Sequence, residues 1–138
     1  MMLKFSNTVL LIFLFAFNSY ALASNLKLKI IYFHGNRRCE ACVLNEENLD
    51  YSIRKNYKEE MKSGYIEFAV INFDEPENEH FIAEFDLEYP KAFICELEGK
   101  NEISRKELKN IWDYTYEYGK FEQYVVEEVN FYLFEKQE

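Results

Sequence analysis

The chain has 138 residues, of which 16 are basic and 25 acidic, and its formal net charge is −9 at pH 7. This length fits one domain of ordinary size. The acidic balance argues against nucleic acid as a partner, because phosphate binding requires a basic patch. Aromatic residues make up 18% of the chain, so we expect a core built on Phe and Tyr.

The first 23 residues have the pattern of a secretory signal peptide. Lys4 gives a short basic start, Val9–Phe17 is an uncharged apolar run, and residues 21–23 form an A-x-A ending. The apolar run reaches about half the length of a membrane-spanning helix, which needs roughly 20 residues. We therefore expect cleavage after Ala23, a mature domain over 24–138 and an exported protein. The alternative is an uncleaved membrane anchor.

The mature part alternates strand and helix patterns. Apolar alternation that continues into an apolar run predicts a buried strand, and recurrence every three or four residues predicts a helix. The predicted strands are 26–33, 66–72, 91–97 and 102–105, and the predicted helices are 39–62, 78–85 and a helical region from 108 onwards, with Gly119 as a kink or short break. Six side chains recur at helical spacing in the first helix: Cys42, Val43, Glu46, Leu49, Ile53 and Tyr57.

The order β-α-β-α-β-β-α predicts one α/β domain. Its β-α-β start requires a parallel pair of strands with a right-handed crossover. The turn at 98–101 predicts an antiparallel hairpin. We expect a four-stranded mixed sheet in the order 2-1-3-4, with helices on both faces.

Cys39 and Cys42 form a C-x-x-C pair where the first strand gives way to the first helix. Unpaired N–H groups and the helix dipole stabilise a thiolate there, which lowers the thiol pKa from about 8.5. Arg37 and Arg38 act in the same direction, whereas the charge of Glu40 opposes them. Cys42 falls one turn behind Cys39 and deeper in the fold, so one thiol is exposed and the other sheltered, as exchange through a mixed disulfide requires.

Cys95, in the third predicted strand, and Pro90, just before it, are further candidate residues. Cys95 alternates with Phe93 and Leu97 on one face of the strand, which favours a buried core thiol. Pro90 comes just before the strand, where a prolyl bond after an extended residue can be cis. In this topology the loop with Pro90 lies next to the helix start that carries Cys39.

The segment YFHGNRRCEAC, the proline before the third strand and the aromatic C-terminal helix together resemble the thioredoxin superfamily in its minimal form. More narrowly, they are similar to small exported bacterial thioredoxin-like proteins with an F-H-G-x-x-R-C-x-x-C signature, which implies a periplasmic location. The resemblance implies that Cys39 is the attacking thiol and Cys42 the resolving thiol. It also implies that Pro90 is a cis-proline that shapes the substrate groove, and that Tyr89 offers its backbone to an extended substrate segment.

The chain departs from thioredoxins proper at several positions. Thioredoxins have Trp before the first cysteine and Gly-Pro between the pair, where this chain has Arg38 and Glu40-Ala41. The buried acid that assists proton transfer in thioredoxins is Phe33 here. The proton must therefore pass to water or to another side chain, for which His34 is a candidate whose direction at the strand end stays open.

The leading hypothesis is an exported thiol–disulfide oxidoreductase that acts on cysteine-containing protein substrates. No flavin or nicotinamide motif occurs, so no cofactor is predicted, and electrons must be exchanged with a membrane redox partner that recycles the pair. The resemblance to thioredoxin-like electron recipients favours a reductase fed by a membrane electron carrier. Strong oxidants have a histidine between the two cysteines. This chain has none there, which favours the same direction.

Two other functions would use the same pair. A soft-metal protein would bind Cu(I) or arsenite through Cys39 and Cys42, with Cys95, His34 and His80 as the available further ligands. A closed zinc site would need four ligands. The remaining alternative is a non-catalytic thioredoxin-like interaction module, which a pair that never exchanges with glutathione would support.

Overall fold

The computed structural model describes residues 26–136, so the predicted signal peptide and its cleavage site lie outside the described residues. The strands are β1 (Leu26–His34), β2 (Ile66–Asn72), β3 (Lys91–Glu98) and β4 (Asn101–Glu107). The α-helices are α1 (Glu40–Asn56), α2 (Lys58–Ser63), α3 (His80–Phe85) and α4 (Tyr118–Asn130). Short 3-10 helices occupy Pro76–Asn78 and Lys109–Ile111, and a π-helical turn occupies Phe131–Glu135. Within 26–136, no helix has the length and apolar character needed to cross a membrane.

The sheet has the predicted order, β2-β1-β3-β4. β1 runs parallel to β2 and antiparallel to β3, and β3 runs antiparallel to β4. The predicted four-stranded mixed sheet in the order 2-1-3-4 is therefore confirmed. His34 pairs with Asn72, and Phe33 pairs with Lys91. Because of this register, the loops after β1, after β2 and before β3 meet at one edge of the sheet.

Helices and apolar side chains cover both faces of the sheet, as predicted. Successive strand residues point to opposite faces, so Tyr32 joins the face covered by α1 and α4, and Phe33 joins the face covered by α3. The first face buries, among others, Leu28, Ile30, Tyr32, Leu49, Ile53, Ile94, Phe121, Val125 and Val129. The second face buries Ile31, Phe33, Phe73, Phe85, Leu87, Phe93 and Cys95.

The predicted first helix is divided in two at Tyr57, whose φ of −129° and ψ of 37° are not helical. The sequence did not predict this break, but it did predict where α2 ends. Gly64 follows Ser63 with a φ of 78°, a left-handed conformation that glycine adopts without steric cost. The buried ring of Tyr57 holds the break in place, because its hydroxyl donates to Oδ1 of Asn130 over 2.9 Å.

The predicted helical region from 108 onwards is wrong at its start. After the 3-10 helix at Lys109–Ile111 the chain turns, and α4 begins only at Tyr118, so Gly119 lies inside the helix and marks no break. Thr115 accounts for the delay. Its hydroxyl donates to two carbonyl groups of the turn, and its own carbonyl accepts from Nδ2 of Asn48 over 3.0 Å. Such local bonds compete with a continuous helix.

The hydroxyl of Tyr57 should contribute measurably to stability. In Tyr57→Phe the ring remains but Oδ1 of Asn130 loses its donor, so we expect the free energy of unfolding in urea to fall by about 1 kcal/mol. Tyr116→Phe is the matched control, because Tyr116 is 71% exposed and should change stability by less than about 0.5 kcal/mol. Equal effects of the two substitutions would contradict this role.

Candidate functional site

The two cysteines of the C-x-x-C pair occupy the first turn of α1 with unequal exposure. Cys39 is the N-cap residue in an extended conformation, and its Sγ accepts a hydrogen bond from the backbone N–H of Cys42 over 3.0 Å. The two Sγ atoms form a disulfide. Cys39 is exposed, whereas Cys42 is only 5% exposed. One sulfur is thus open to solvent and the other lies beneath it, as the spacing predicted.

Tyr32 anchors this turn to the sheet. Its buried hydroxyl donates to the carbonyl oxygen of Cys42 over 2.7 Å. Burial raises the pKa of Tyr32, the negative charge of Glu46 raises it further, and Arg38 opposes them. The hydroxyl therefore remains a donor at physiological pH, and the charges of Arg38 and Glu46 lie close to the turn. The strand pattern predicted only that Tyr32 is buried, so this link was missed.

The predicted charged neighbours of the pair differ in their partners. The guanidinium of Arg38 forms an ion pair with Glu46, one turn beyond Cys42. Arg37 is exposed and has no ion-pair partner within residues 26–136. Glu40 is the first residue of α1, where a negative charge interacts favourably with the helix dipole. Of the two arginines, only Arg37 keeps a charge that no described carboxylate neutralises.

His34 and Phe33 are the residues that end β1. The Nδ1 atom of half-buried His34 lies 2.9 Å from the carbonyl oxygen of Gly35, which fits a hydrogen bond to its own neighbour when Nδ1 is protonated. No hydrogen bond joins His34 to either cysteine in the described part of the chain. Phe33 is fully buried among aromatic rings of the other face. A proton-accepting role for His34 stays a prediction.

An open cleft of about 480 Å³ lies where the three loops meet. Its lining includes Arg37, two residues before Cys39, but neither cysteine. The structure therefore places Tyr89 and Pro90 beside the loop that leads to Cys39. The lining residues are Gly35, Asn36, Arg37, Phe73, Asp74, Glu88, Tyr89 and Pro90.

The predicted cis bond before Pro90 is wrong, because no cis peptide bond occurs within residues 26–136. The trans form of an X–Pro bond is intrinsically favoured by about 0.5–1 kcal/mol, so a cis bond requires contacts that reverse this preference. The contacts of Tyr89 accompany the trans form instead. Its ring lies 6.3 Å from that of Trp112, and the ammonium group of the buried Lys91 lies 5.0 Å from its centroid.

The loop that leads to Cys39 is fastened to the loop after β2. The backbone N–H of Asn36 donates to Oδ2 of Asp74 over 2.6 Å, and Nδ2 of Asn72 donates to Oδ1 of Asn36 over 2.8 Å. Gly35 permits this approach, because a Cβ atom there would lie 2.7 Å from the Asp74 carboxylate and 3.1 Å from the ring of Phe73. The sequence predicted only a strand break at this point.

Cys95 lies on the opposite face of the sheet from the pair. It is 1% exposed in the cluster with Phe33 and Phe93, which confirms the predicted core thiol. Burial raises the pKa of the Cys95 thiol to about 12, and the charge and hydrogen bond of Glu102 add to the increase. Burial and the raised pKa both predict a low reactivity of this thiol.

The further ligands of the soft-metal hypothesis form no cluster with the pair within residues 26–136. In the part of the chain that the structure describes, no group of three or more His, Cys, Asp or Glu side chains could hold a metal ion. Cys95 is buried on the other face, and His80 is exposed on α3 with its ring against Phe81. These positions do not favour a metal site at Cys39 and Cys42.

No family model matches the chain, and no curated protein sequence matches it. Several solved structures have a similar backbone, among them the following two. One, described as a malarial protein, is 21% identical, with a TM-score of 0.40 over 59% of this chain and 80% of its own. The other is thioredoxin-2, a component of the protein secretion machinery of the malaria parasite. It is 23% identical, with a TM-score of 0.40 over 59% of this chain and 70% of its own. A likeness of this size says nothing about a site, so the chemistry must follow from this chain's own residues.

Gly35→Ala should destabilise the loop before Cys39. The added methyl group would push the Asp74 carboxylate away from the N–H of Asn36, and we expect the free energy of unfolding to fall by about 1–3 kcal/mol. Gly119→Ala is the matched control, because its added Cβ would meet no atom within 4 Å apart from its chain neighbours and the backbone of its own helix. In α4 alanine is favoured over glycine, so the control should be neutral or stabilising. An unchanged free energy of unfolding in Gly35→Ala would show that the close approach of Gly35 to Asp74 is not needed.

Cys95 should resist alkylation in the native protein. With a pKa of about 12, the reactive thiolate is a fraction on the order of 10⁻⁴ at pH 8. Iodoacetamide at pH 8 should therefore leave Cys95 unmodified, and guanidinium chloride should make it reactive. The reduced protein should be modified at Cys39 under native conditions, which serves as the positive control. Modification of native Cys95 at the unfolded rate would contradict its raised pKa.

Proposed function

We propose that the chain is an exported thiol–disulfide oxidoreductase that works through Cys39 and Cys42. The observation that carries this proposal is the asymmetry of the pair. The exposed sulfur of Cys39 receives a backbone N–H at a helix start, and the buried sulfur of Cys42 lies directly behind it. Exchange through a mixed disulfide requires one accessible nucleophile and one sheltered resolving thiol.

In the first step, the Cys39 thiolate attacks one sulfur of a substrate disulfide. A sulfur–sulfur bond forms between Cys39 and the substrate, the substrate disulfide breaks, and the departing sulfur takes a proton from solvent. The N–H of Cys42, 3.0 Å from Sγ of Cys39, favours negative charge on that sulfur before the attack.

In the second step, Cys42 loses its proton and its sulfur attacks Sγ of Cys39. The mixed disulfide breaks, the second substrate sulfur leaves as a thiolate and is protonated, and the Cys39–Cys42 disulfide forms. Two electrons have passed from the chain to the substrate. Both cysteines belong to one helical turn, so resolution is an intramolecular reaction between groups already in position.

The ion pair of Arg38 and the charge of Glu40 support the reductase direction, whereas the charge of Arg37, unpaired among the described residues, acts against it. A couple is strongly oxidising when its reduced form is stabilised by surrounding positive charge. Here the charge of Arg38 is shared with Glu46, and Glu40 adds a negative charge in the first turn. The oxidised pair would be returned to the dithiol by a membrane electron carrier, in agreement with the predicted export.

The cleft at the sheet edge is the proposed place for the substrate. An extended segment next to a substrate cysteine would lie along Tyr89 and Pro90, which share the cleft with the loop that leads to Cys39. Arg37 lines the same cleft with no described ion-pair partner, so it offers an unpaired cation to that segment. The acids Asp74 and Glu88 on the same lining limit the attraction for acidic substrates.

Trapping of the mixed disulfide tests the assignment of roles. Incubated with a peptide disulfide, Cys42→Ser should accumulate a covalent adduct at Cys39, whereas Cys39→Ser should give at least tenfold less, because its remaining thiol is buried. Mass spectrometry of the intact protein measures the amount of adduct for both variants. Cys95→Ser is the control and should exchange as the unaltered protein does. Equal adduct formation by Cys42→Ser and Cys39→Ser would contradict the proposed roles.

The reduction potential of the pair, equilibrated against glutathione, tests the direction of the reaction. A value near about −270 mV, that of thioredoxin, would support a reductase. A value near about −120 mV, that of DsbA, would instead indicate a disulfide donor. A pair that does not equilibrate with glutathione at all would overturn the proposed function.

A further inference from the structure

Asn45 is a buried polar residue of α1 with no hydrogen-bond partner. It is 0% exposed, and neither its Nδ2 nor its Oδ1 has a partner among residues 26–136. An unsatisfied buried polar group destabilises the folded state, so its presence needs an explanation. Ser52, the other buried polar residue of α1, has one, because its hydroxyl lies 3.4 Å from that of Tyr118.

The position of Asn45 on the helix relates it to the redox pair. It follows Cys42 by three residues, and both side chains lie on the buried face of α1. Helical residues three apart are neighbours, with Cβ atoms about 5–6 Å apart. Side chains on a helix also lean toward its N-terminus, so we expect the amide of Asn45 on the side of α1 that carries Cys42. In the disulfide, the sulfur of Cys42 has no proton to donate and is a weak acceptor.

We infer that Asn45 is a positioning residue for the pair, whose amide binds the sulfur of Cys42 once the disulfide is reduced; this rests on the proposed function. In reduction by glutathione, two glutathione thiols supply two electrons and two protons. The Cys39–Cys42 bond breaks, two thiols form, and one glutathione disulfide is released. The freed sulfur of Cys42 can donate its proton to Oδ1 of Asn45 or, as a thiolate, accept from Nδ2.

Such a contact has two consequences for the chemistry. The amide is unpaired in the disulfide form and paired in the dithiol form, so it shifts the equilibrium toward the dithiol. It also stabilises the thiolate of Cys42 from which resolution starts. An amide donor provides this stabilisation without a charged side chain.

Asn45→Leu tests the inference, because leucine has the same branching at Cγ and no polar atoms. We expect the glutathione equilibrium constant of the pair to shift about tenfold toward the disulfide, which is about 30 mV toward more negative potential. Asn45→Ala should shift it in the same direction, and it covers the case in which leucine does not pack. An unchanged equilibrium in both variants, with the unaltered protein exchanging normally, would overturn the inference and leave the proposed function standing.

Stability measurements on the two redox forms provide a readout that does not require exchange. Unfolding free energies are measured for the disulfide form and for the form reduced with dithiothreitol. Asn45→Leu should stabilise the disulfide form relative to the reduced form, whereas Ser52→Ala, the matched control, should change both equally. Equal changes in both forms of Asn45→Leu would show a purely structural role and overturn the inference. The stability test can be evaluated even if the pair does not equilibrate with glutathione, which is the result that would overturn the proposed function.

Discussion

The hydroxyl of Tyr32 holds the first turn of α1 to the central strand, and the geometry of the cysteine pair depends on this one bond. The 2.7 Å contact to the carbonyl of Cys42 fixes the height of the turn above β1. Cys39 then caps the helix from outside while Cys42 lies inside. Since an N-cap sulfur replaces the oxygen usual at this position, the same atom both begins the helix and faces solvent.

The register of the sheet determines what surrounds that turn. Because β1 and β2 are parallel and β3 starts at the same edge, three loops converge there. The N–H of Asn36 and the carboxylate of Asp74 join two of them. The two faces have different roles: one carries α1 with its cysteines, and the other is filled with Phe rings around Phe33. That division leaves Cys95 far from solvent on the aromatic face.

The sheet order, the strand–helix junction at Cys39 and the core position of Cys95 could be predicted, because alternation and turn residues record which side chains are buried. Other features depend on single contacts between distant segments. The bond from Asn48 to Thr115 delays α4, and the contacts of Tyr89 accompany a trans bond at Pro90. The helical spacing grouped Val43 and Glu46 with Cys42, whereas the buried positions of α1 are Cys42, Asn45, Leu49, Ser52 and Ile53. Hydrophobicity alone does not identify a buried amide.

Trp112 gives this molecule a built-in optical probe. It is the only tryptophan of the chain, it is half-buried, and its ring meets that of Tyr89 edge to face at 6.3 Å. Tyr89 lines the cleft at the sheet edge, so a segment bound there would change the polarity and packing around the indole. The intrinsic fluorescence of the unlabelled protein would then report on occupancy of the cleft, with no second indole to obscure the signal.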